Sequence, residues 1–310
     1  MQLFRSDTVE TTDISIDLAN QVRVKPTGLA AIYAGLKDFA RRKPVAFGGG
    51  MVLVFAVLVA IFADVIAPYS PTQIAIGDKF GGPGSENAIL GTDQLGRDIL
   101  TRLIHGARIS MYVGIVSVLI GITIGTLAGV TSAYVSGWAD IILQRFIDAM
   151  MAFPPIILAL GLMAALGASV NNVVIALLVI FIPGATRVIR SQALSIKELD
   201  YTLAARSIGA SSTRIIFRHM IPNIMATYIV LVTISLGFAI VVEAALSFLG
   251  VGIPPDVATW GSMLELGRKY IDVQGWMVVF PGFVIALVVF AVNFLGDGLR
   301  DVMDPKLRGR

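Results

Sequence analysis

ISMYVGIVSVLIGITIGTLAGVTSAYV, residues Ile109–Val135, runs for 27 residues without an acid, a base or a proline. As a helix it rises ~40 Å, enough to cross the ~30 Å hydrocarbon core of a bilayer. A helix that is apolar on every face belongs inside a large core or inside a membrane. Five further blocks flank it, about Val45–Ala67, Phe146–Leu166, Val173–Ile189, Ile224–Leu249 and Trp276–Leu295. The expected fold is therefore an all-α membrane protein of six transmembrane helices. Pro154-Pro155 interrupts the third block, and Pro183-Gly184 predicts a break and kink near the end of the fourth.

Composition agrees. Of 310 residues 56% are hydrophobic and 15% charged, against about 45–50% and 25% in soluble domains. This excludes a soluble globular enzyme, a disordered chain and a two-domain cytosolic protein. There is no cysteine, so no disulfide framework or thiolate metal site exists. Residues Met1–Lys43 are too long and polar to be a secretory signal, with Asp7, Glu10, Asp13 and Asp17 ahead of the first apolar run. Within them Leu29, Ile32, Tyr33, Leu36 and Phe39 recur at helical spacing and Arg41, Arg42 and Lys43 follow. Two readings fit: a helix on the membrane surface, or one packed on protein.

The cations set the orientation. With the N-terminus inside, 18 of the 24 Lys and Arg fall on the cytoplasmic side. The expected organisation is a cytoplasmic segment 1–44, a six-helix membrane domain 45–298 and a cytoplasmic tail 299–310. The membrane domain carries external segments 68–108 and 250–275 and a cytoplasmic loop 190–223.

That loop is the informative polar stretch. Ser195-Ile-Lys-Glu198 has capping-box spacing, and Leu199, Leu203, Ala204 and Ile208 form a helical stripe. Gly209-Ala210-Ser211-Ser212 reads as a helix stop followed by a new N-cap. A second helix, Thr213–Met220, then leads to Ile221-Pro222. Two short helices joined at a sharp turn are expected, with small residues Ala204, Ala205 and Gly209 permitting close approach. Arg206, Arg214 and Arg218 supply exposed charge. The hairpin either packs on its own membrane domain or receives another protein.

The spacing resembles the permease subunits of binding-protein-dependent ABC importers. Those carry Glu-Ala-Ala, three residues, Gly, nine residues, Ile, one residue, Leu-Pro. Here the positions read Leu203-Ala204-Ala205, Gly209, His219 and Ile221-Pro222, with Leu203 replacing the acid and His219 the Ile. Further stretches resemble the C-type permease of the dipeptide, oligopeptide and nickel importers: Leu90–Asp98 with Gly106–Ser110, Glu243–Gly250 with Trp260–Met263, and Asn293–Asp301 with Asp304-Pro305. The resemblance implies that Leu203, Ala204, Ala205, Arg206, Gly209, Ala210 and Pro222 couple to an ATPase subunit. It also implies partners: a homologous second permease, two ATPase subunits binding ATP and Mg, and an extracytoplasmic substrate-binding protein. The expected location is the plasma (inner) membrane of a bacterium or archaeon, with no nucleic-acid partner. Cargo by resemblance is a dipeptide or oligopeptide, with nickel, oligosaccharide or opine as alternatives.

No lysine is followed by Ser or Thr, so there is no Walker A phosphate loop. With only His105 and His219 and no cysteine, a resident transition-metal site is not expected. No nucleophile–base constellation points to an enzyme, so the chain is read as a non-enzymatic subunit that binds no cofactor itself. An ATP-independent secondary transporter is the more remote alternative. Glu243 lies well inside a span, where an ionisable group lines a path or braces a neighbour, and Asn293 poses the same choice. Asp93, Arg97 and Asp98 form either an internal i,i+4 pair on a helix or a docking patch for the binding protein.

Overall fold

A computed structural model describes residues 28–303. By contacts the chain divides into two units, Met1–Pro44 and Val45–Arg310. In the first, the described part is helix α1, Leu29–Arg42, with an Arg42–Asp38 ion pair one turn apart. The acids Asp7 to Asp17, and Asp304-Pro305 of the tail, lie outside the described residues.

In the second unit, α2 (Pro44–Ile61) leads to the short α3 (Ala63–Ile66), and then an irregular segment reaches α4 (Ile99–Val135). Next come α5 (Gly137–Met151), α6 (Pro155–Leu166), α7 (Val170–Lys197) and α8 (Asp200–Ser207). A short turn α9 (Ser212–Ile215) and a π turn (Ile216–Met220) run directly into α10 (Ile221–Phe248), followed by α11 (Trp260–Lys269) and α12 (Trp276–Met303). Among the described residues five helical stretches are long and apolar enough to cross a membrane: α2, α4, α7, Ser212–Phe248 and α12. The pair α5–α6 makes a sixth if counted as one span, bent by 87°.

The third block is thus a broken span rather than one helix. Pro154 and Pro155 cause the break: Pro154 is extended (φ −54, ψ 134) and Pro155 occupies the first turn of α6, where its missing N–H costs nothing. Pro183 behaves differently. α7 continues through it to Lys197, so the expected break is absent.

The second span also starts earlier than hydropathy indicates, at Ile99 rather than Ile109. Asp98 caps it, accepting from the Thr101 N–H at 2.7 Å. The charges in the extra turns are held internally. Arg102 is 1% exposed and donates to the Pro71 and Pro255 carbonyls at 3.3 and 3.1 Å. Arg108 grips Asp64 and donates to the Ala60 carbonyl at the end of α2.

α4 is the central element and packs most extensively on α7. Gly121, Gly125 and Gly129 recur at four-residue steps along the contact. A Cβ added at Gly125 would sit 2.6 Å from the Ala185 Cβ and 2.8 Å from the Ile182 carbonyl. Small residues at this spacing let two backbones approach closely, which is how helices associate where no water drives them together. Around this seam lies a core of Val113, Ile122, Leu177 and Phe181, continued toward α10 by Ala239 and Val242.

Candidate functional site

The segment expected to couple, residues 190–223, is built on the end of α7. Ser195 is not a helix cap: it lies inside α7, and α8 begins at Asp200 with Leu199 before it and no side-chain cap. The cause is local packing, because Ala193 and Ile196 are buried and hold the chain helical to Lys197. The Lys197 ammonium donates to the Ala133 and Tyr134 carbonyls at 3.2 and 3.0 Å and to the Ser136 hydroxyl at 2.7 Å. It thereby satisfies carbonyls left over at the C-terminus of α4 and meets the negative end of its dipole. Thr202 Oγ1 donates to the Ile196 carbonyl at 3.0 Å, tying α8 to α7.

α8 then closes in a Schellman motif. The Gly209 N–H bonds the Arg206 carbonyl and the Ala210 N–H bonds the Ala205 carbonyl, at 3.0 and 3.1 Å, with Gly209 at φ +80. This is the left-handed position that favours glycine after a helix. A Cβ at Gly209 would meet nothing within 4 Å, so inside the chain the glycine serves backbone geometry and not close approach. Ser211 caps the following turn through the Arg214 N–H. Here the stop and the new N-cap fall where the sequence places them. The second short helix does not stand alone, however: Ser212–Phe248 is one helical stretch. Pro222 has no N–H to give, and the π turn before it together with Asn223 Nδ2 donating to the His219 carbonyl at 2.7 Å lets the helix pass through.

The motif residues divide by face. Ala205 points inward, 7% exposed, into a cluster with Ile189, Ile196, Ile215 and Met220. Leu203, Ala204, Arg206, Gly209 and Pro222 are exposed and Ala210 is half-buried. Ile208 is 85% exposed, the highest value among the large apolar side chains of the described residues. The structure therefore brings the motif together as one small platform with an apolar and basic outer face and a packed root.

Sequence reasoning missed what holds that root. Arg190 pairs with Asp140 of α5 through two hydrogen bonds of 2.7 and 2.5 Å, and Ser132 donates to the same carboxylate. Arg187 pairs with Asp148. The two ion pairs join residues 39 and 50 apart in sequence, beyond any local pattern.

The remaining candidates sit elsewhere. Asp93 and Arg97 do pair, at 2.6 Å, but across a tight turn instead of along a helix, and Asp93 also accepts from the Leu95 and Arg97 N–H groups. Asp93, Arg97 and Asp98 are 2%, 6% and 2% exposed, so their polar groups brace the 68–98 segment and offer little surface to a docking protein. Glu243 is 0% exposed. It accepts from Ser247 on its own helix and from Ser110 of α4, both at 3.2 Å. Ser110 in turn accepts from the Trp260 N–H at 3.2 Å, the first residue of α11. Glu243 is thus a knot between three helices, in keeping with the bracing alternative. Asn293 is exposed on α12 and faces Gly237 of α10, whose added Cβ would lie 3.6 Å from its amide. Beside the α5–α6 bend an apolar groove of about 550 Å³ is lined by Ile122, Met151, Phe153, Pro155, Phe181 and Phe238.

Two family models match. Residues 121–309 fit the binding-protein-dependent transport system inner membrane component, and residues 39–83 fit the N-terminal TM domain of oligopeptide transport permease C. The chain is 39% identical over 268 residues to the dipeptide transport system permease protein of Alkalihalophilus pseudofirmus, covering 86% of this chain and 88% of that one. It is 39% identical over 277 residues to the di/tripeptide transport system permease protein of Pseudomonas aeruginosa, covering 88% and 91%. With the glutathione transport system permease protein of Escherichia coli it shares 40% identity over 269 residues, covering 87% and 89%.

Proposed function

Because this chain belongs to the family of binding-protein-dependent transport system inner membrane components, we propose that it forms half of an ATP-driven import pathway for short peptides. The other half is a homologous permease; two ATPase subunits that bind ATP and Mg dock at the coupling platform, and an extracytoplasmic binding protein delivers cargo. Peptide cargo is supported by the names of the relatives, which are dipeptide, di/tripeptide and glutathione permeases. The apolar groove at the α5–α6 bend contributes wall to the pathway.

One observation carries the reading. The platform around Leu203–Pro222 is rigidly rooted by Lys197, Thr202 and Ala205, yet presents Leu203, Arg206 and Ile208 outward. A rigid foot of this kind transmits displacement of a docked ATPase directly into α4, α7 and α10; a flexible linker would absorb it. Closure of the ATPase dimer on ATP then switches the pathway from inward- to outward-facing. The orientation that places the platform and both termini in the cytoplasm rests on the cation bias, and the bent α5–α6 pair, counted as one crossing, gives the even number that this requires.

Reconstitution tests the proposal. The chain with its permease, ATPase and binding-protein partners in proteoliposomes should accumulate a labelled tripeptide only when ATP is supplied. Replacing Ile208 by Asp should release the ATPases on copurification while leaving the two permeases together. Uptake by the chain without ATPases would instead indicate a secondary transporter.

A further inference from the structure

We infer that Leu29–Arg42 is a docking surface for anionic phospholipid, lying along the bilayer boundary with Tyr33, Leu36 and Phe39 toward the acyl chains and Lys37 and Arg41 toward the headgroups. The first support is covalent. Lys43 alone separates this helix from Pro44–Ile61, the first membrane-crossing helix. Whichever way the chain turns at Lys43, the C-terminal end of the helix lies at the edge of the hydrocarbon.

The second support is the distribution of side chains. On a helical wheel Tyr33, Leu36 and Phe39 share one face, while Ala34, Asp38 and Arg41 occupy the opposite one. Among the described residues the face is open, with Tyr33 and Leu36 71% and 54% exposed. A low overall hydrophobicity combined with a segregated apolar face is the signature of a helix in the interfacial plane.

The third support is charge. Lys37, Arg41 and Arg42 lie in the last two turns of the helix, against a single acid within it, Asp38. Asp38 is already engaged by Arg42 at 2.9 Å, which leaves the balance of the helix positive. Cations beside an anionic leaflet add to apolar insertion, and that contribution depends on lipid charge. An occupant made of protein would need no such dependence.

Absence of cysteine from the chain gives a clean background for labelling. Single variants Tyr33→Cys, Leu36→Cys and Ala34→Cys of the full chain would carry an environment-sensitive fluorophore, be assembled with the partner subunits, and enter nanodiscs containing brominated acyl chains. In phosphatidylglycerol discs the labels at 33 and 36 should be quenched at least about twofold more than the label at 34. In phosphatidylcholine discs the difference should shrink, and Lys37→Gln with Arg41→Gln should reproduce that loss in phosphatidylglycerol. Equal quenching on both faces would overturn the inference, as would no quenching at any position. Indifference to headgroup charge would equally refute it.

Discussion

Replacing Gly125 by Ala adds one methyl group at the tightest point of the α4–α7 seam. Its carbon would sit 2.6 Å from the Ala185 Cβ, 2.8 Å from the Ile182 carbonyl and 3.1 Å from the Thr186 nitrogen. Comfortable carbon contacts begin near ~3.5 Å, so the two backbones must separate by roughly 1 Å along a contact that is otherwise close-packed. Overpacking of this kind costs about 1–3 kcal/mol, and two of the three clashing atoms are backbone and have no rotamer to adopt. Gly161→Ala in α6 is the matched control, since a Cβ there meets nothing within 4 Å. There only helix propensity acts, and it favours Ala by up to about 1 kcal/mol. The two substitutions should therefore shift thermal stability of the purified chain in opposite directions. Gly121→Ala should fall between them, because its nearest neighbour is the Phe181 side chain at 3.0 Å. Scanning fluorimetry in nanodiscs reads the order directly. If Gly125→Ala melts no lower than Gly161→Ala, the seam is not what holds α4 to α7.

The platform and the buried carboxylate give three more predictions. At Gly209 the strain of φ +80 costs Ala about 1–2 kcal/mol and Asn much less. Gly209→Asn should therefore transport like the wild type if conformation alone matters; failure of Asn and Glu alike, with ATPases still bound, would show that a partner approaches the glycine closely. Lys197→Met removes the cap on the α4 carbonyls and should lower ATP-driven uptake several-fold while copurification of the ATPases persists; unchanged uptake would mean that the α7–α4 tie carries no motion. Glu243→Gln keeps an acceptor for Ser110 and Ser247 and should leave uptake near normal, whereas Glu243→Leu leaves both hydroxyl protons without their acceptor and should destabilise by about 1–3 kcal/mol; loss of uptake in a stable Gln variant would point to the translocation path after all.

Much of this molecule is readable along the chain because bilayer chemistry is one-dimensional. Uncharged blocks mark the crossings, and Pro154-Pro155 marks the broken one. Gly209 and Ser211 stop and restart a helix by rules that involve only near neighbours. Reading failed where distant atoms decide. Arg102 and Arg108 look like reasons to start the second span at Ile109, yet carbonyls of Pro71, Pro255 and Ala60 neutralise their cost and the helix begins at Ile99. Ser195-x-x-Glu198 has the letters of a capping box, but burial of Ile196 and the grip of Lys197 keep that turn inside α7. The Gly121, Gly125, Gly129 steps were visible as letters; their meaning depended on knowing which helix lies opposite.

The Arg102 side chain has a consequence for how the protein is made. One of its two carbonyl acceptors, Pro71, is synthesised before it, and the other, Pro255, lies 153 residues later. At ~5–20 residues per second the ribosome needs roughly 8–30 s to supply that second acceptor. Throughout that interval a guanidinium destined for near-complete burial waits half-satisfied beside newly inserted helices. Delivery of the residues after α10 to the same side as Pro71 thus adds a late tie to a segment that Asp93 and Arg97 already brace from within. A nascent protein stalled before residue 255 should expose that segment to proteolysis that the finished one resists.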